Sequence, residues 1–410
     1  MSWVNSEVTV VALFIAVVVA GSIGILKFTK NRTRRISNLR LFIQVAAVFT
    51  IFMGLLIGPF NQPDWLPLGP SPRDHLIGTE ILGNQFPDGI SFPALACYYP
   101  NGRTVTCAIW QIQAYIFPFW DYSMGYGVFY SLSGLEMLAI VFCSLIFASL
   151  LLGRSYCGWL CPFGLYMDLL TRLRKVTGKR HLSFSAKTNK ALTQSSYIII
   201  AAFLILSVIF GSYDIFGTQL IPGTSPGIDG FDALHSGIVS NINEPFCLVC
   251  PARPLCILAE CVVGSMDWSY VSQIAYEPFW ITGFYVTSIN LAVLIAVTLL
   301  GFAYRRFWCR ICPLGALTGF FSTYRPFRNV ALTKLEKSGE KCTKCGVCKR
   351  VCPTDVSEIY NRKAGDVTVS NCILCMRCVE MCPYKDALKA KFAGKTVINL
   401  RNWLEAKSSK

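Results

Sequence analysis

The cysteines near the C-terminus have a spacing that suits iron–sulfur chemistry. The pattern C-x2-C-x2-C-x3-C-P occurs twice, ending at Pro353 and at Pro383. In this pattern three thiolates of each run surround one cubane, and the fourth ligates the neighbouring cluster. C-x2-C pairs also bind zinc, but two complete quartets favour two [4Fe–4S] clusters. The predicted ligands are Cys342, Cys345, Cys348 and Cys382 for the first cluster, and Cys372, Cys375, Cys378 and Cys352 for the second.

A second set of cysteines lies in two similar segments, RSYCGWLCPFG from Arg154 and RRFWCRICPLG from Arg305. Aligned on Cys-Pro-x-Gly, the segments match Arg154 with Arg305 and suggest two copies of one structural unit. Together they supply four thiolates, the number that one cubane needs. A pair of thiol–disulfide switches or buried structural cysteines are the alternatives. The predicted ligands of this shared site are Cys157, Cys161, Cys309 and Cys312.

A further quartet lies between the two copies, in an acidic segment, and comprises Cys247, Cys250, Cys256 and Cys261. Its C-x2-C-P opening favours another [4Fe–4S] cluster, and disulfides or a different metal are the alternatives. Arg253 is the only basic residue of this segment. We expect its positive charge to raise the reduction potential of that cluster, unless the side chain instead extends to lipid headgroups.

The elements that position these cysteines are predicted from hydropathy. The chain has 53% apolar and only 15% charged residues, a composition typical of membrane proteins. Long apolar runs occur at about 8–26, 41–60, 132–152, 196–211 and 278–303. The sequence therefore predicts a membrane all-α bundle of about five transmembrane helices, followed by a C-terminal bacterial-type 2[4Fe–4S] ferredoxin domain of the α+β class.

The net charge of +15 is distributed in alternating loops. Residues 27–40 and 153–195 and the tail from 304 are basic, whereas 61–131 and 212–277 are acidic. By the positive-inside rule this pattern predicts a multi-pass protein of the inner (cytoplasmic) membrane, in contact with lipid, with its N-terminus outside and its ferredoxin domain cytoplasmic. Because the charge follows topology, nucleic acid is not an expected partner.

These patterns divide the chain into four predicted parts. They are two N-terminal transmembrane helices at 1–60, an extracytoplasmic loop at 61–131, a polyferredoxin core at 132–328 that contains the repeated turns and the outer quartet at 247–261, and a 2[4Fe–4S] ferredoxin domain at 329–410. Glu136 lies near the outer end of the third apolar run. An ionisable residue there is a candidate to accept a quinol proton, and simple solvation is the alternative.

The CGWLCPFG and CRICPLGAL turns, joined to the double cysteine tail, resemble the membrane-bound polyferredoxins of nitrate-reductase and nitrous-oxide-reductase systems, the NapH/NosR type. The resemblance covers about residues 132–390. It implies quinol oxidation or quinone reduction, with electrons exchanged with a partner oxidoreductase. The quartet at 247–261, the long loop 61–131 and the C-x2-C spacing of the second turn depart from the common pattern, so the partner itself is not identified.

Three functions are compatible with these patterns. The leading hypothesis is a membrane electron-transfer subunit that passes electrons between a quinone pool and iron–sulfur partners of a respiratory oxidoreductase complex. In that role the chain is the quinol dehydrogenase or quinone reductase subunit of the enzyme. A quinone-independent conduit of clusters across the membrane is the second hypothesis, and a redox sensor or metallocentre assembly factor is the third.

We predict that residues 330–400, expressed anaerobically by themselves, bind about eight irons, four for each of two cubanes. Iron and acid-labile sulfide analysis after anaerobic reconstitution measures this directly. Recovery of zinc with no iron would refute the assignment.

Overall fold

The computed structural model describes residues 2–29, 35–52, 107–116, 132–215, 245–263 and 288–398. The chain forms two compact units. The first unit comprises Met1–Val48, Ile146–Tyr197 and Leu300–Lys410, and the second comprises Phe49–Leu145 and Ile198–Leu299. The first unit therefore contains both repeated turns and the ferredoxin tail, and the second contains the quartet at 247–261.

Helices make up most of the described chain, and the strands are confined to the tail. The helices are α1 (Ser2–Phe28), α2 (Arg35–Phe52), α3 (Ala108–Ile116), α4 (Leu132–Leu152), α5 (Ser155–Trp159), α6 (Pro162–Val176), α7 (Ala186–Ile215), α8 (Pro245–Val249), α9 (Arg253–Val263), α10 (Ser288–Ala303), α11 (Trp308–Ile311), α12 (Pro313–Thr323), α13 (Phe327–Val330), α14 (Val347–Val351), α15 (Glu358–Asn361) and α16 (Arg377–Glu380). The strands are β1 (Thr333–Lys337), β2 (Gly365–Asp366), β3 (Leu388–Phe392) and β4 (Lys395–Ile398).

The predicted bundle of five transmembrane helices is wrong. Within the described ranges, one helical segment, Ala186–Ile209, is long and apolar enough to cross a membrane. The apolar segments Ile15–Phe28, Leu138–Leu152 and Ser288–Ala303 are shorter. The predicted ferredoxin domain at the C-terminus is present.

An apolar run in the sequence does not by itself determine the bounds of the helix that contains it. The run at 278–303 gives a described helix of 16 residues, α10. At 1.5 Å per residue these 16 described residues span about 24 Å, compared with a hydrocarbon core of roughly 30 Å. Conversely, the marginal run at 196–211 belongs to α7, a helix of 30 residues, because polar residues from Ala186 onward also adopt helical structure.

The ferredoxin domain is built around a four-stranded antiparallel sheet with the strand order β2-β1-β3-β4. Its buried core includes Leu335, Val356, Val367 and Val379. The two cysteine runs adopt the same local structure thirty residues apart. Left-handed residues at Lys344 and Gly346 in the first run correspond to Leu374 and Met376 in the second. Such conformations are strained outside glycine, so these loops require support from the surrounding structure.

Each repeated turn has the same backbone. A short helix is followed by a cysteine in an extended conformation, and proline then begins the next helix. Cys161 has φ −64° and ψ 120°, and Cys312 has φ −64° and ψ 121°. Proline is favoured at a first helical position because its fixed φ fits and its missing N–H has no helical acceptor there. The Cys-Pro pairs therefore mark the starts of α6 and α12.

Candidate metal centres

The first ferredoxin quartet lines one cavity. Its walls include Cys342, Cys345, Cys348 and Cys382, the four cysteines that the sequence assigns to the first cluster. Lys337 also lines this cavity, and its ammonium group donates hydrogen bonds to the carbonyl groups of Ile359, Tyr360 and Arg362. Cys345 is exposed and the other three thiols are half-buried. This site is therefore open to solvent and to a soluble partner.

The second ferredoxin quartet lines a separate cavity. Cys352, Cys372, Cys375 and Cys378 face it, again as the sequence assigns them. All four are buried. The backbone N–H of Val356 donates to the sulfur of Cys352 at 3.3 Å. Hydrogen bonds of this kind tune cluster potentials.

Both cavities suit a cubane better than a single ion. In the part of the chain that the structure describes, no three His, Cys, Asp or Glu side chains group together as ligands of one metal ion. Thiolates that bond to four different irons of a cubane are spread apart and need not converge on a point. The donor set is entirely thiolate in each cavity, which suits [4Fe–4S] clusters.

Two buried arginines link the repeated turns reciprocally. Arg154, before the first turn, donates to the carbonyl oxygen of Cys309 in the second turn at 2.7 Å. Arg306, before the second turn, donates to the carbonyl oxygen of Cys157 in the first turn at 2.7 Å. Each turn is therefore held by an arginine of the other, and both Cys-Pro turns belong to one structural site.

This exchange corrects the sequence alignment of the repeat. Arg154 corresponds to Arg306, not to Arg305 as the alignment on Cys-Pro-x-Gly suggests. The N–H of Cys157 donates to the carbonyl of Arg154, and the N–H of Cys309 donates to the carbonyl of Arg306. The extra residue of the first copy therefore lies between its two cysteines.

Each Cys-Pro turn ends in a glycine where a side chain would clash. A Cβ atom at Gly315 would overlap the Arg154 guanidinium of the other copy, whereas one at Gly164 would lie 2.8 Å from the carbonyl oxygen of Cys157 in its own turn. Gly315 therefore provides the space through which Arg154 reaches the second turn.

The four turn cysteines are buried and close together. Each is at most 8% exposed. Burial raises the pKa of Cys312 well above its ordinary value, and the nearby thiols of Cys157, Cys161 and Cys309 raise it further. Burial likewise raises the pKa of Cys309. Because thiol–disulfide exchange requires an accessible thiolate of low pKa, this setting disfavours the dithiol alternative and favours a shared four-thiolate site.

The charges of the two arginines are balanced differently. Asp168 accepts hydrogen bonds from Nε of Arg306 at 2.9 Å and from Nη2 at 2.5 Å. Arg154 is 3% exposed, and no carboxylate within the described ranges pairs with it. Burial alone lowers the pKa of Arg154, but the thiolates of Cys157, Cys312 and Cys309 raise it. The thiolates of a bound cluster would therefore provide the counter-charge for Arg154.

The turn site adjoins the second ferredoxin quartet. Cys157 packs with Ile373 and Cys375. The indole N–H of Trp159 donates to the carbonyl oxygen of Leu374 at 2.9 Å. Arg154 donates to the carbonyl oxygen of Ser370 at 2.7 Å. The loop that carries Cys372 and Cys375 therefore rests directly on the first Cys-Pro turn.

The quartet at 247–261 is buried within the second unit. Its four thiols, Cys247, Cys250, Cys256 and Cys261, are at most 6% exposed. Asn290 donates to the carbonyl oxygens of Cys247 and Cys250 at 3.0 and 3.1 Å. Arg253 is 4% exposed and donates to the carbonyl oxygen of Cys247 at 3.4 Å. Its burial argues against a side chain that extends to headgroups, so Arg253 stays with the cysteines.

Sequence reasoning missed several residues of these sites. From sequence, Cys107 is a candidate for a disulfide with Cys97, with two free thiols as the alternative, and Cys97 lies outside the described residues. The structure places Cys107 near Cys250. The side-chain oxygen of Gln113 accepts a hydrogen bond from the backbone N–H of Phe246. Asp168 was detectable as the only acidic residue of the basic segment 153–195. Glu136 lies in α4, and its side chain is outside the described residues.

Comparisons with known proteins agree with this geometry. A 4Fe–4S binding domain family matches twice, at residues 134–180 and 286–330, and a 4Fe–4S dicluster domain family matches residues 334–383. The double match covers both copies of the repeat. No solved structure matches the chain.

Curated relatives are similar along much of the chain. YccM of Escherichia coli, named as an electron transport protein, is 27% identical over 69% of this chain and 64% of its own length. The ferredoxin-type protein NapH of Haemophilus influenzae is 22% identical over 58% of this chain and 63% of its own length. An uncharacterised protein of Methanocaldococcus jannaschii is 26% identical over 61% of this chain. The chain is thus similar to a ferredoxin-type protein, and it contains matches to 4Fe–4S binding domains. The matches span less than two thirds of YccM and of NapH.

The matched family models indicate that the bound groups are 4Fe–4S clusters. Bound clusters supply one-electron carriers. The described residues supply the thiol ligands and exclude water from the buried quartets. Arg154 places a cation beside the turn quartet, and Arg253 places one beside the quartet at 247–261.

We predict that Asp168→Asn destabilises the protein by about 3–5 kcal/mol, because it leaves the buried Arg306 cation uncompensated. Burial alone would raise the pKa of Asp168, but Arg306 and Arg40 lower it from 3.8 to about 2. Asp168 therefore stabilises the fold above about pH 3.8, and this contribution is lost as the pH falls towards 2. Denaturant unfolding of the wild type and the variant across this pH range measures both effects.

The matched control is Asp366→Asn, which removes the half-exposed ion pair with Arg328. It should cost at most about 1 kcal/mol. Equal losses in the two variants would contradict the role of Asp168.

We also predict that Arg154→Gln lowers the reduction potentials of the clusters that depend on Cys312 and Cys372, because a buried positive charge favours the added electron. A tenfold change in the reduction equilibrium corresponds to about 59 mV for one electron. Arg154→Lys keeps the positive charge, so its reduction potentials should lie closer to those of the wild type than the potentials of Arg154→Gln do. Redox titration followed by electron paramagnetic resonance measures the potentials, and Arg328→Gln, outside both sites, should leave them unchanged. Unshifted potentials in Arg154→Gln would refute the assignment.

Proposed function

We propose that this chain is a membrane-bound electron-transfer subunit that passes electrons between a quinone pool and iron–sulfur partners of a respiratory oxidoreductase. The observation that carries the proposal is the contact between the first Cys-Pro turn and the loop of the second ferredoxin quartet. Cys157 and Cys375 pack in one buried cluster. Two buried thiolate sites so placed suit direct electron exchange.

The different burial of the three quartets supports a route for electrons through the first unit. The turn quartet and the second ferredoxin quartet are buried, whereas the first ferredoxin quartet includes the exposed Cys345. A redox partner in solution would therefore approach the first ferredoxin site. The quinone would react on the side of the turn quartet, a step that rests on the likeness to the NapH-type family.

For localisation we propose the cell membrane, with the ferredoxin domain on its cytoplasmic side. The support is the apolar segment Ala186–Ile209, together with the excess of basic residues in the ferredoxin domain. Buried contacts between the turns and the tail would keep the ferredoxin sites at the membrane surface.

A quinone-independent conduit is a second candidate, and the buried quartet of the second unit favours it. Cys247, Cys250, Cys256 and Cys261 would hold a further cluster, with Arg253 as its buried cation. A route that uses this quartet needs no quinone.

The test is anaerobic reduction of the purified full-length protein by a quinol, followed by electron paramagnetic resonance. We expect the quinol to reduce the wild-type clusters, and a headgroup-specific quinone inhibitor to prevent this. Cys161→Ser and Cys312→Ser should each remove the same signal, because the two turns share one site, and should spare the signals of both ferredoxin clusters.

Cys143→Ser is the matched control, since Cys143 is an exposed cysteine of α4 outside every quartet. It should retain all signals. Failure of every quinol to reduce an iron-replete protein that dithionite reduces would refute the quinone function and leave the conduit. Loss of different signals in the two turn variants would refute the shared site.

A further inference from the structure

A cleft in the first unit concentrates positive charge and contains no cysteine of the thiolate quartets. It encloses about 530 Å³ including its mouth, and five cations line it together with a single carboxylate. These six residues are Arg40, Arg172, Lys175, Arg305, Arg377 and Asp168. They come from α2, α6, the second repeated turn and the ferredoxin domain, so the fold brings together cations that are distant in sequence.

The carboxylate of this cleft is already engaged. Asp168 pairs with Arg306 at 2.5 Å and with Arg40 at 2.9 Å. Glu380, outside the cleft, pairs with Arg377 at 2.5 Å. The ion pairs inside the fold therefore neutralise only part of the positive charge.

Two cations of the cleft remain without a counter-charge. Among the described residues, Arg172 and Lys175 have neither a hydrogen-bond nor an ion-pair partner. Burial lowers the pKa of Lys175, and the cations of Arg377, Arg305 and Arg172 lower it further. In addition, the Nε atoms of Arg40 and Arg305 are buried without an acceptor among the described residues. Buried donors are normally satisfied, so these atoms point to an absent acceptor.

We propose that this cleft binds a phosphate group, supplied either by free phosphate or by a phospholipid headgroup. Two unpaired cations match the charge of a phosphate dianion. Arginine forks donate paired hydrogen bonds to phosphate oxygens, and lysine provides a point charge beside them. The recess also favours a compact anion, because the cations surround a cavity and do not spread over a flat face.

The cleft lies beside the second ferredoxin quartet without being part of it. Val351 and Pro353, which flank Cys352, form part of its wall. Anion binding can be measured directly, so its outcome does not depend on the proposed electron-transfer function.

The experiment is isothermal titration calorimetry of the full-length protein in a phosphate-free buffer of low ionic strength. Inorganic phosphate and the short-chain lipid dihexanoylphosphatidylglycerol are the two probes. We expect at least one probe to bind. The double variant Arg172→Gln with Lys175→Gln should weaken that binding roughly tenfold or more, since it removes two charge-assisted contacts.

The control double variant is Lys179→Gln with Lys187→Gln, which removes two exposed charges of neighbouring residues outside the cleft. It should bind as the wild type does. Binding of phosphate identifies free phosphate as a sufficient ligand, and binding of the lipid alone identifies the headgroup as the source. Both outcomes support the site.

Absence of binding by both probes would overturn the proposal. Equal weakening in the cleft and control variants would also overturn it, because that result would reflect overall charge. The single variants Arg172→Gln and Lys175→Gln provide a second measurement. Neither side chain has a partner within the described part of the chain, so both variants should fold with wild-type iron content, and unchanged affinity in both would contradict the assignment.

Discussion

The reciprocal hydrogen bonds of Arg154 and Arg306 are the constraint on which the arrangement of the first unit depends. Each guanidinium crosses to a cysteine carbonyl of the other Cys-Pro turn, at 2.7 Å in both cases. A buried cation is costly unless an anion and several acceptors surround it. The fold must therefore keep both turns, their glycines and the nearby anions together, and this requirement brings the four turn thiols into one site.

The two copies of the repeat meet this requirement in different ways. Arg306 is balanced by Asp168, whereas the equivalent position of the second copy is Gly319. A Cβ atom there would lie 2.6 Å from the carbonyl oxygen of Ser370, so glycine permits the ferredoxin loop to approach. Arg154 consequently donates to Ser370 and has no carboxylate partner. This difference at one residue position thus allows the ferredoxin domain to contact the repeat.

Local spacing was sufficient to predict some of these features and insufficient for others. The ferredoxin quartets follow from cysteine intervals within a dozen residues, and each group lines its own cavity. The roles of Arg306 and Asp168 depend on contacts between residues 138 positions apart, which no local pattern encodes. The predicted number of membrane-crossing helices was also wrong, since among the described residues one helical segment, Ala186–Ile209, is long and apolar enough to cross a membrane.

A single four-thiolate site formed by both Cys-Pro turns, beside the second ferredoxin quartet, is tested most directly by anomalous diffraction at the iron edge from anaerobically grown crystals. We expect one iron site enclosed by Cys157, Cys161, Cys309 and Cys312, next to the iron site held by Cys352, Cys372, Cys375 and Cys378. Disulfides within each turn, with no iron between them in a protein whose ferredoxin domain is loaded, would contradict it.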